Sequence, residues 1–413
     1  MREIIGSIDI GSDAIKLVVA EYFNNDFNIL CAIESPTKGF RDSEIINENE
    51  LIKSIKIAIE KASVKLNFKI TKIIANIPTT SNNFILSEAT NTINNENGMV
   101  NSNDILRVLQ STAYNRININ DELVSLIPIG FRVGDYETKD PFNKKGKTIA
   151  AKTILITALK KEVYDIIKIL EKCSLEVVDI TTTGLVDYFN FRNNYLDMKT
   201  GIMVNIGASI TQVSVFSKGI YINNEIINLG GMNIDKDIAY IYKLKLSDAK
   251  YLKEKLALAN IRRANPKENM KIVNKEGEEL VINQYELTEI VASRINEILK
   301  KAKNIINHLT KKEISYIIIT GGLTEFKDFN IAVTGVFGES ASIGTINTLG
   351  TRNNKYSVCL GMIKYFNDKL KLRHRRYSTV SEKEAEDMCN KESKISIPSD
   401  SILGKIFGYF FDS

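Results

Sequence analysis

Two stretches far apart in the chain share one pattern. "GSIDIGSDAIKLVVAEY" covers residues 6–22, and "GIMVNIGASITQVSVFSKG" covers residues 201–219. Each runs through an apolar strand, an Asp or Asn, Ile-Gly, two small or polar residues and a second strand. Val204-Asn205-Ile206-Gly207 thereby overlays Ile8-Asp9-Ile10-Gly11. Alternation over Thr211–Phe216 predicts a strand, and the Gly before it predicts a tight hairpin. Two such hairpins, each opening one half of the chain, point to a pair of similar α/β halves.

The chemistry of this hairpin is specific. Backbone N–H groups at a tight Gly-containing turn converge on an anion as a nest does. Ser12 adds a hydroxyl donor, Lys16 adds positive charge, and Asp9 suits a Mg²⁺ held through water. One copy of D-x-G-S is a common hairpin. Two copies in register favour phosphate binding.

A third stretch, "SYIIITGGLTEF" at 315–326, reads as a buried strand ending in Gly321-Gly322. In open α/β sheets ligands sit beyond the carboxyl ends of strands, and paired glycines let backbone approach a flat ring or a ribose. "KYSVCLGMIKYF" at 355–366 reads as a small-residue helix packing on that sheet. "KKGKT" at 144–148 looks like the end of a P-loop. The required upstream Gly falls at Pro141 and no strand precedes it, so it reads as a basic loop.

Composition narrows the class. The chain has 413 residues, 44% of them hydrophobic and 25% charged, enough for two or three domains and a sizeable core. Four widely spaced cysteines without a CxxC pair fit a reducing compartment and argue against structural zinc. Two histidines, His308 and His374, make a His-based metal site or triad improbable. A net charge of +5 does not imply nucleic-acid binding. "MREIIGSIDIG" lacks the apolar core of a signal peptide. No run approaches the ~18–20 apolar residues of a spanning helix.

Together, "DIGSDAIK", "NIGASITQ" and "ITGGLTEF" resemble the phosphate-1, phosphate-2 and adenosine motifs of the actin-like ATPase superfamily. Within it the chain resembles the FtsA family of bacterial cell-division proteins. The marks are "LIPIGFRVGDYETKDPFNKKGKT" (126–148), "IIANIPTTSNNF" (73–84) and "NLGGMNIDKDIAYIYKLKLSDAKYLKEKLALA" (228–259), and the resemblance spans residues 4–370. It implies a duplicated actin-like (ribonuclease H-like) α/β fold with an FtsA-type inserted subdomain and a C-terminal amphipathic helix. The implied layout is 1–82 plus 160–196 for the first actin-like subdomain, with the insert at 83–159. The second actin-like subdomain is 197–229 plus 310–370, and its outer subdomain is 230–309. A flexible linker at 371–398 and a membrane-targeting helix at 399–413 follow.

The resemblance also implies an ATP site. Asp9, Gly11, Ser12 and Lys16 surround the phosphates from one side, with Asp9 near Mg²⁺. Asn205 and Gly207 do so from the other. Gly230 and Gly231 lie near phosphates or ribose, Lys253 and Glu254 touch adenine and ribose, and Gly321 and Gly322 back the adenosine. One departure matters. Much of the family begins phosphate-2 with Asp, whereas Asn205 carries no charge to help hold Mg²⁺ or polarise a water. Phosphoryl transfer depends on such positioning, so slow hydrolysis at most is expected, and no phosphotransferase activity.

"ELTEIVASRINEILKKAKNIINHL" (286–309) reads as an amphipathic helix with Ile290, Ile298, Leu299, Ile305 and Ile306 on its apolar stripe. Arg294, Glu297 and Lys301 share one face. By resemblance this outer subdomain receives the acidic C-terminal tail of FtsZ, with Arg294 and Lys301 as a cationic patch. "NSNDILRVLQSTAYN" (101–115) reads as a helix capped by Asn101 or Ser102, with Asp104 near its positive end. By resemblance the insert meets a neighbouring protomer in a filament and reaches later division proteins.

Residues 369–400 are polar and read as a tether, basic at first ("KLKLRHRR") and then acidic. The basic run either touches anionic lipid or is simply solvated. In "SDSILGKIFGYFFDS" (399–413), Ile402, Leu403, Ile406, Phe407, Tyr409, Phe410 and Phe411 fall on one arc of about 200° when wound as a helix. Seven such side chains, partly buried at an interface, contribute roughly 5–12 kcal/mol gross. Ordering the backbone costs ~1–2 kcal/mol per residue, so one foot binds weakly and many feet on a filament gain avidity.

The sequence therefore predicts an ATP-binding actin-like protein. It polymerises on the cytoplasmic face of the bacterial inner membrane at the division site, anchors the FtsZ ring and recruits later division proteins. A small-molecule kinase of the superfamily and a pilus-assembly actin homologue are the alternatives.

Overall fold

The computed structural model describes residues 3–23, 26–78, 82–310 and 312–381. The first half opens with β1 (Glu3–Ile10), β2 (Ala14–Phe23) and β3 (Asp26–Pro36), followed by a two-residue ladder of β4 (Phe40–Arg41) and β5 (Glu44–Ile45). Helix α1 (Glu48–Leu66) starts at Asn47, whose side chain accepts the Glu50 N–H, and stops at Asn67 in the left-handed region. Strand β6 (Lys72–Asn76) then leads to β7 (Asn83–Thr92), α2 (Ser102–Ala113), β8 (Asp121–Val133), β9 (Tyr136–Thr138) and β10 (Thr148–Leu159). The chain returns through α3 (Lys160–Lys172), β11 (Glu176–Thr181) and α4 (Thr183–Phe191).

The second half begins with β12 (Thr200–Ile206), β13 (Thr211–Ser217) and β14 (Ile220–Ile227). Next come α5 (Gly231–Ile241), α6 (Leu246–Leu256), β15 (Asn269–Val273), β16 (Glu279–Asn283) and α7 (Gln284–Leu309). It closes with β17 (Tyr316–Thr320), α8 (Phe329–Phe337), β18 (Ala341–Ile343) and α9 (Ser357–Leu372).

The two halves are the same sheet built twice. The strand orders are β3-β2-β1-β6-β11 and β14-β13-β12-β17-β18. In both, the first three strands are antiparallel neighbours and the last two add in parallel. The central strands are buried on both faces, which explains their near-continuous apolar runs. Ile202, Val204, Ile206, Val213, Val215, Ile317 and Ile319 point into one core with α5–α8. Met203, Phe216 and Tyr316 point into another, shared with Ile5 and Val18 of the first sheet. The alternation over Thr211–Phe216 thus separates two cores, not core from solvent.

Between the sheets lie α4 and α9. They approach closely because Gly361 has no side chain: a Cβ there would lie 1.9 Å from the Val186 carbonyl oxygen. The helix expected on the sheet of 315–326 in fact packs against β1, β2 and β6 of the first half, so α9 belongs to the layer joining both halves. Residues 83–159 form a separate antiparallel sheet, β7-β10-β8-β9, covered by α2. Asn101 is the α2 cap, and Asp104 accepts its N–H in return at 3.0 Å. Residues 144–148 are loop and strand start.

Two expectations need correction here. The apolar face of α7 is centred on Leu287, Val291, Ile295, Ile298, Ala302 and Ile306, while Ile290 and Ile305 are only partly buried. The tether does not begin at 371. Residues 373–380 turn back onto β1, where the Thr379 N–H donates to the Ile4 carbonyl at 2.7 Å and the Gly6 N–H donates to Thr379 Oγ1 at 3.0 Å. They occupy the edge of β1 that the short β6 leaves open. The amphipathic helix at 399–413, with Ile402, Leu403, Ile406, Phe407, Phe410 and Phe411, lies outside the described residues.

Candidate functional site

Both duplicated hairpins end at one cleft of about 980 Å³ between the halves. They are superposable in their bonding. The last strand pairs are Ile10 with Ile15 and Ile206 with Thr211. Each encloses a four-residue loop closed by the glycine N–H: Gly11 donates to the Ala14 carbonyl at 3.2 Å, Gly207 to the Ile210 carbonyl at 2.9 Å.

Neither glycine has a positive φ. They are there for closeness: a Cβ on Gly11 would lie 2.8 Å from Lys16 Nζ and 2.9 Å from the Ala14 oxygen. Because their own N–H groups close the loops, the amides left at the tips are those of Ser12, Asp13, Ala208 and Ser209.

Beneath the first loop, Asp9 sits 8% exposed. Asn76 Nδ2 donates to its Oδ1 at 3.1 Å, and Lys16 Nζ stands 3.6 Å from Oδ2. Asn76 also donates to Thr183 Oγ1 at 2.8 Å, which ties the strand end to the start of α4. Beneath the second loop the register equivalents of Asp9 and Lys16 are Asn205 and Gln212, a neutral pair.

A carboxylate does lie close by. Asp187 on α4 is 1% exposed and accepts from Asn205 Nδ2 at 3.0 Å and from Thr320 Oγ1 at 3.3 Å. Burial pushes its carboxyl up to about 6, against the hydrogen bonds from Ser357, Asn205 and Thr320 that favour the charged form.

Asp9, Gly11, Ser12, Lys16, Asn205, Gly207, Gly231, Lys253, Glu254, Gly321 and Gly322 all line the cleft. Gly230 does not. It stands behind the second hairpin, where a Cβ would lie 2.5 Å from the Gly207 oxygen and 2.6 Å from the Ala208 oxygen. The Gly231 and Met232 N–H groups donate to those carbonyls at 3.0 and 2.7 Å. This helix start braces the hairpin instead of facing a ligand with free amides.

Lys253 is also engaged: its amine pairs with buried Asp235 at 2.7 Å and reaches the Gly231 carbonyl at 3.3 Å. Gly321 holds φ 94° and ψ 168°, a region open essentially to glycine alone. It passes so close to Ile206 that a Cβ would lie 2.4 Å from that carbonyl oxygen. The far wall is made by Leu256, Ala257, Leu258, Glu268, Gln284 and Phe326.

Sequence reasoning missed Asn76, Asp187, Gln212 and Lys250. Asp187 left a signal, being the lone charged residue in the run Gly184–Phe191. Lys250 of α6 reaches across the cleft to both oxygens of Asp13 in the first loop at 2.7 Å.

The outer helix differs from a free cationic patch. Arg294 grips Asp237 of α5 bidentately, at 2.7 and 2.9 Å, and also bonds Glu297. Lys301 pairs with Glu297 at 3.0 Å. The helical spacing that puts the two cations on one face puts Glu297 between them. Beside them Ser293, Asn296, Lys300 and Asn304 complete a shallow polar groove.

Comparison with known proteins bears on this arrangement. The family model described as "Cell division protein FtsA" matches residues 202–361. The Bacillus subtilis cell division protein FtsA is 24% identical over 370 residues, covering 88% of this chain and 83% of that one. Its Buchnera aphidicola counterpart is 26% identical, covering 92% and 94%.

Among solved structures, the PilM–PilN type IV pilus biogenesis complex is similar in fold, with a TM-score of 0.57 and 13% identity over 87% of this chain and 97% of that one. So is MreB5 of Spiroplasma citri bound to ADP, with a TM-score of 0.54 and 11% identity over 89% and 97%. The fold is that of the actin-like proteins.

Proposed function

We propose that this FtsA-type actin-like protein of cell division binds ATP in the cleft between its hairpins. In this reading it assembles into filaments on the cytoplasmic face of the inner membrane at the division site, anchors the FtsZ ring and recruits later division proteins. The observation that carries the nucleotide part is the pair of register-matched loops facing one cleft. Ser12 and Asp13 of one loop and Ala208 and Ser209 of the other line that cleft, where their amides would meet a chain of phosphates.

The cleft volume suits a ligand of nucleotide size. The solved MreB5 of similar fold was bound to ADP in one structure and to AMPPNP in another. Asp9 suits a Mg²⁺ held through water, since Asn76 already occupies one of its oxygens. Among the described residues no cluster of three His, Cys, Asp or Glu side chains is placed to hold a metal.

Gly11, Ser12 and Lys16 would serve the phosphates on one side and Gly207 on the other. Gly321, Gly322, Lys253 and Glu254 would serve the nucleoside, with Gly230 and Gly231 as braces. Hydrolysis is slow, because Asn205 brings no charge to the second loop.

Membrane attachment rests on the amphipathic sequence at 402–411. Among the described residues no helix is long and apolar enough to cross a membrane. Co-sedimentation with anionic liposomes, full chain against a chain ending at Pro398, tests it: the full chain pellets and the shortened one does not. Equal pelleting removes the anchor. FtsZ binding requires an acidic peptide to displace Glu297 or Asp237 from Arg294. Arg294→Glu should therefore weaken binding of an FtsZ tail peptide about ten-fold or more, with Lys301→Glu weaker in effect.

A further inference from the structure

We propose that Asp187 is a positioning residue for the second hairpin, holding the Asn205 side chain with its carbonyl oxygen toward the cleft. The inference rests on the nucleotide reading above.

An ionised carboxylate only accepts hydrogen bonds. Asp187 Oδ2 lies 3.0 Å from the Asn205 amide, so the atom facing it must be Nδ2. Asn205 is partly exposed and lines the cleft, and Oδ1 is the polar atom it has left to present there. The amide orientation, ambiguous from shape alone, is decided by the charge behind it.

Asp187 is itself fixed. Thr320 Oγ1 donates to its other oxygen at 3.3 Å, and Thr320 and Ser357 hydroxyls lie 2.9 Å apart. These contacts come from β17 and the start of α9, so the carboxylate is clamped where the two halves meet.

The first hairpin uses the same two groups in the opposite order. There the strand carries the carboxylate, Asp9, and the neighbouring Asn76 donates to it. In the second hairpin the strand carries the amide and the carboxylate stands behind it. A neutral oxygen backed by a buried charge suits a water of a divalent cation's shell better than the bare ion. The second loop thus supplies an acceptor for the hydrated metal without placing a second negative charge beside the phosphates.

The test is the affinity of the full chain for a fluorescent ATP analogue, with Mg²⁺ and with EDTA. The ratio of the two dissociation constants is the gain from the metal. Asp187→Asn removes the group that fixes the amide, and the gain should fall about ten-fold. The exchange variant D187N/N205D restores a donor–acceptor pair with a carboxylate oxygen toward the cleft, and the gain should return to the wild-type value or exceed it. Should D187N not fold, N205A removes Oδ1 directly, and the same loss is expected.

An unchanged gain in D187N and N205A overturns the proposal, as does a loss that the exchange variant fails to repair. Wild-type chain that binds the analogue in neither buffer overturns the nucleotide reading and this inference with it.

Discussion

The two hairpins repeat a backbone and not a chemistry. Their loops have the same length and the same closing hydrogen bond. Beneath the first lies the charged pair Asp9–Lys16, and beneath the second the neutral pair Asn205–Gln212. Their supports differ too. A side chain, Lys16, fills the space against Gly11, whereas backbone encloses the second hairpin: Gly230 behind the loop and Gly321 beside its strand. The repeat preserves the length and closure of the loops, while the charge beneath them sits on a different element, on the strand in the first hairpin and on α4 in the second.

The largest effect should come from breaking the backbone support of the second hairpin. Gly321→Ala forces a side chain into a glycine-only conformation, ~1–3 kcal/mol, and against the Ile206 carbonyl, a further ~1–3 kcal/mol. A stability loss of about 2–6 kcal/mol in urea unfolding follows from these two terms. Gly207→Ala meets only the Ile210 oxygen, at 3.1 Å, and should cost about 1 kcal/mol. If Gly207→Ala proves the more damaging, the second hairpin is not held by its surroundings in the way described.

Next comes the displaced carboxylate. The Asp187 carboxyl is raised from 3.8 to about 6 by burial. A raised pKa in the folded state means that folding favours the proton. Its contribution to stability is therefore full below pH 3.8 and is lost as pH rises through about 6. Asp187→Asn removes that dependence. The stability of the variant relative to wild type should rise by up to ~3 kcal/mol between pH 4 and pH 7. A flat difference would show that the buried charge beneath the second hairpin is stabilised as well as one in water. The swapped order of charge and amide would then carry no energetic signature.

These two sites also show how much the sequence could tell. The hairpins and the Gly321-Gly322 turn are local patterns, set by strand periodicity and glycine placement, and they were legible, while the insert was legible only through the family resemblance. The facing of the two hairpins across one cleft was implied by the resemblance and not by the repeat itself. What was not legible depends on approach in space. Asp187 is 18 residues from Asn205 in sequence, on an element whose angle is set by the α4–α9 packing at Gly361. Gly230 was expected near phosphates or ribose because the family resemblance put it there. Only the packing shows that Gly207 and Ala208 occupy its helix start. Arg294 looked like a free cation because Asp237 lies 57 residues away. The docking of Thr379 on β1 depends on the shortness of β6, which no local pattern conveys.

The charged pair of the first hairpin can be tested against the neutral pair of the second. Lys16→Gln makes the first resemble the second and removes a cation from the proposed phosphate position, worth ~1.5–3 kcal/mol as a charge-assisted contact. ATP affinity should fall about 10- to 100-fold by that magnitude. Gln212→Ala should change it by about three-fold or less, since its neutral amide offers only an ordinary hydrogen bond. Equal losses, read by titration calorimetry, would mean that the two halves contribute alike despite their different charges.

The smallest effect concerns a tie described only for the first hairpin. Lys250 of the outer subdomain bonds both oxygens of Asp13, a residue 237 positions away, across the cleft proposed to hold the nucleotide. Both side chains are more than a third exposed, so solvent screens the pair and its worth to stability is below ~1 kcal/mol. Its effect belongs to kinetics. Opening the cleft breaks the pair, and Lys250→Ala should let nucleotide dissociate roughly two- to five-fold faster, a change of that same size in the opening equilibrium. Because the pair is exposed, salt should mimic the substitution. The gap between wild type and variant in stopped-flow dissociation should close as ionic strength rises from about 0.05 to about 0.5 M, where the screening length becomes comparable to the contact itself. A gap that survives high salt would place the restraint in the packing of α6, not in the ion pair. The first hairpin would then be no more tied across the cleft than the second.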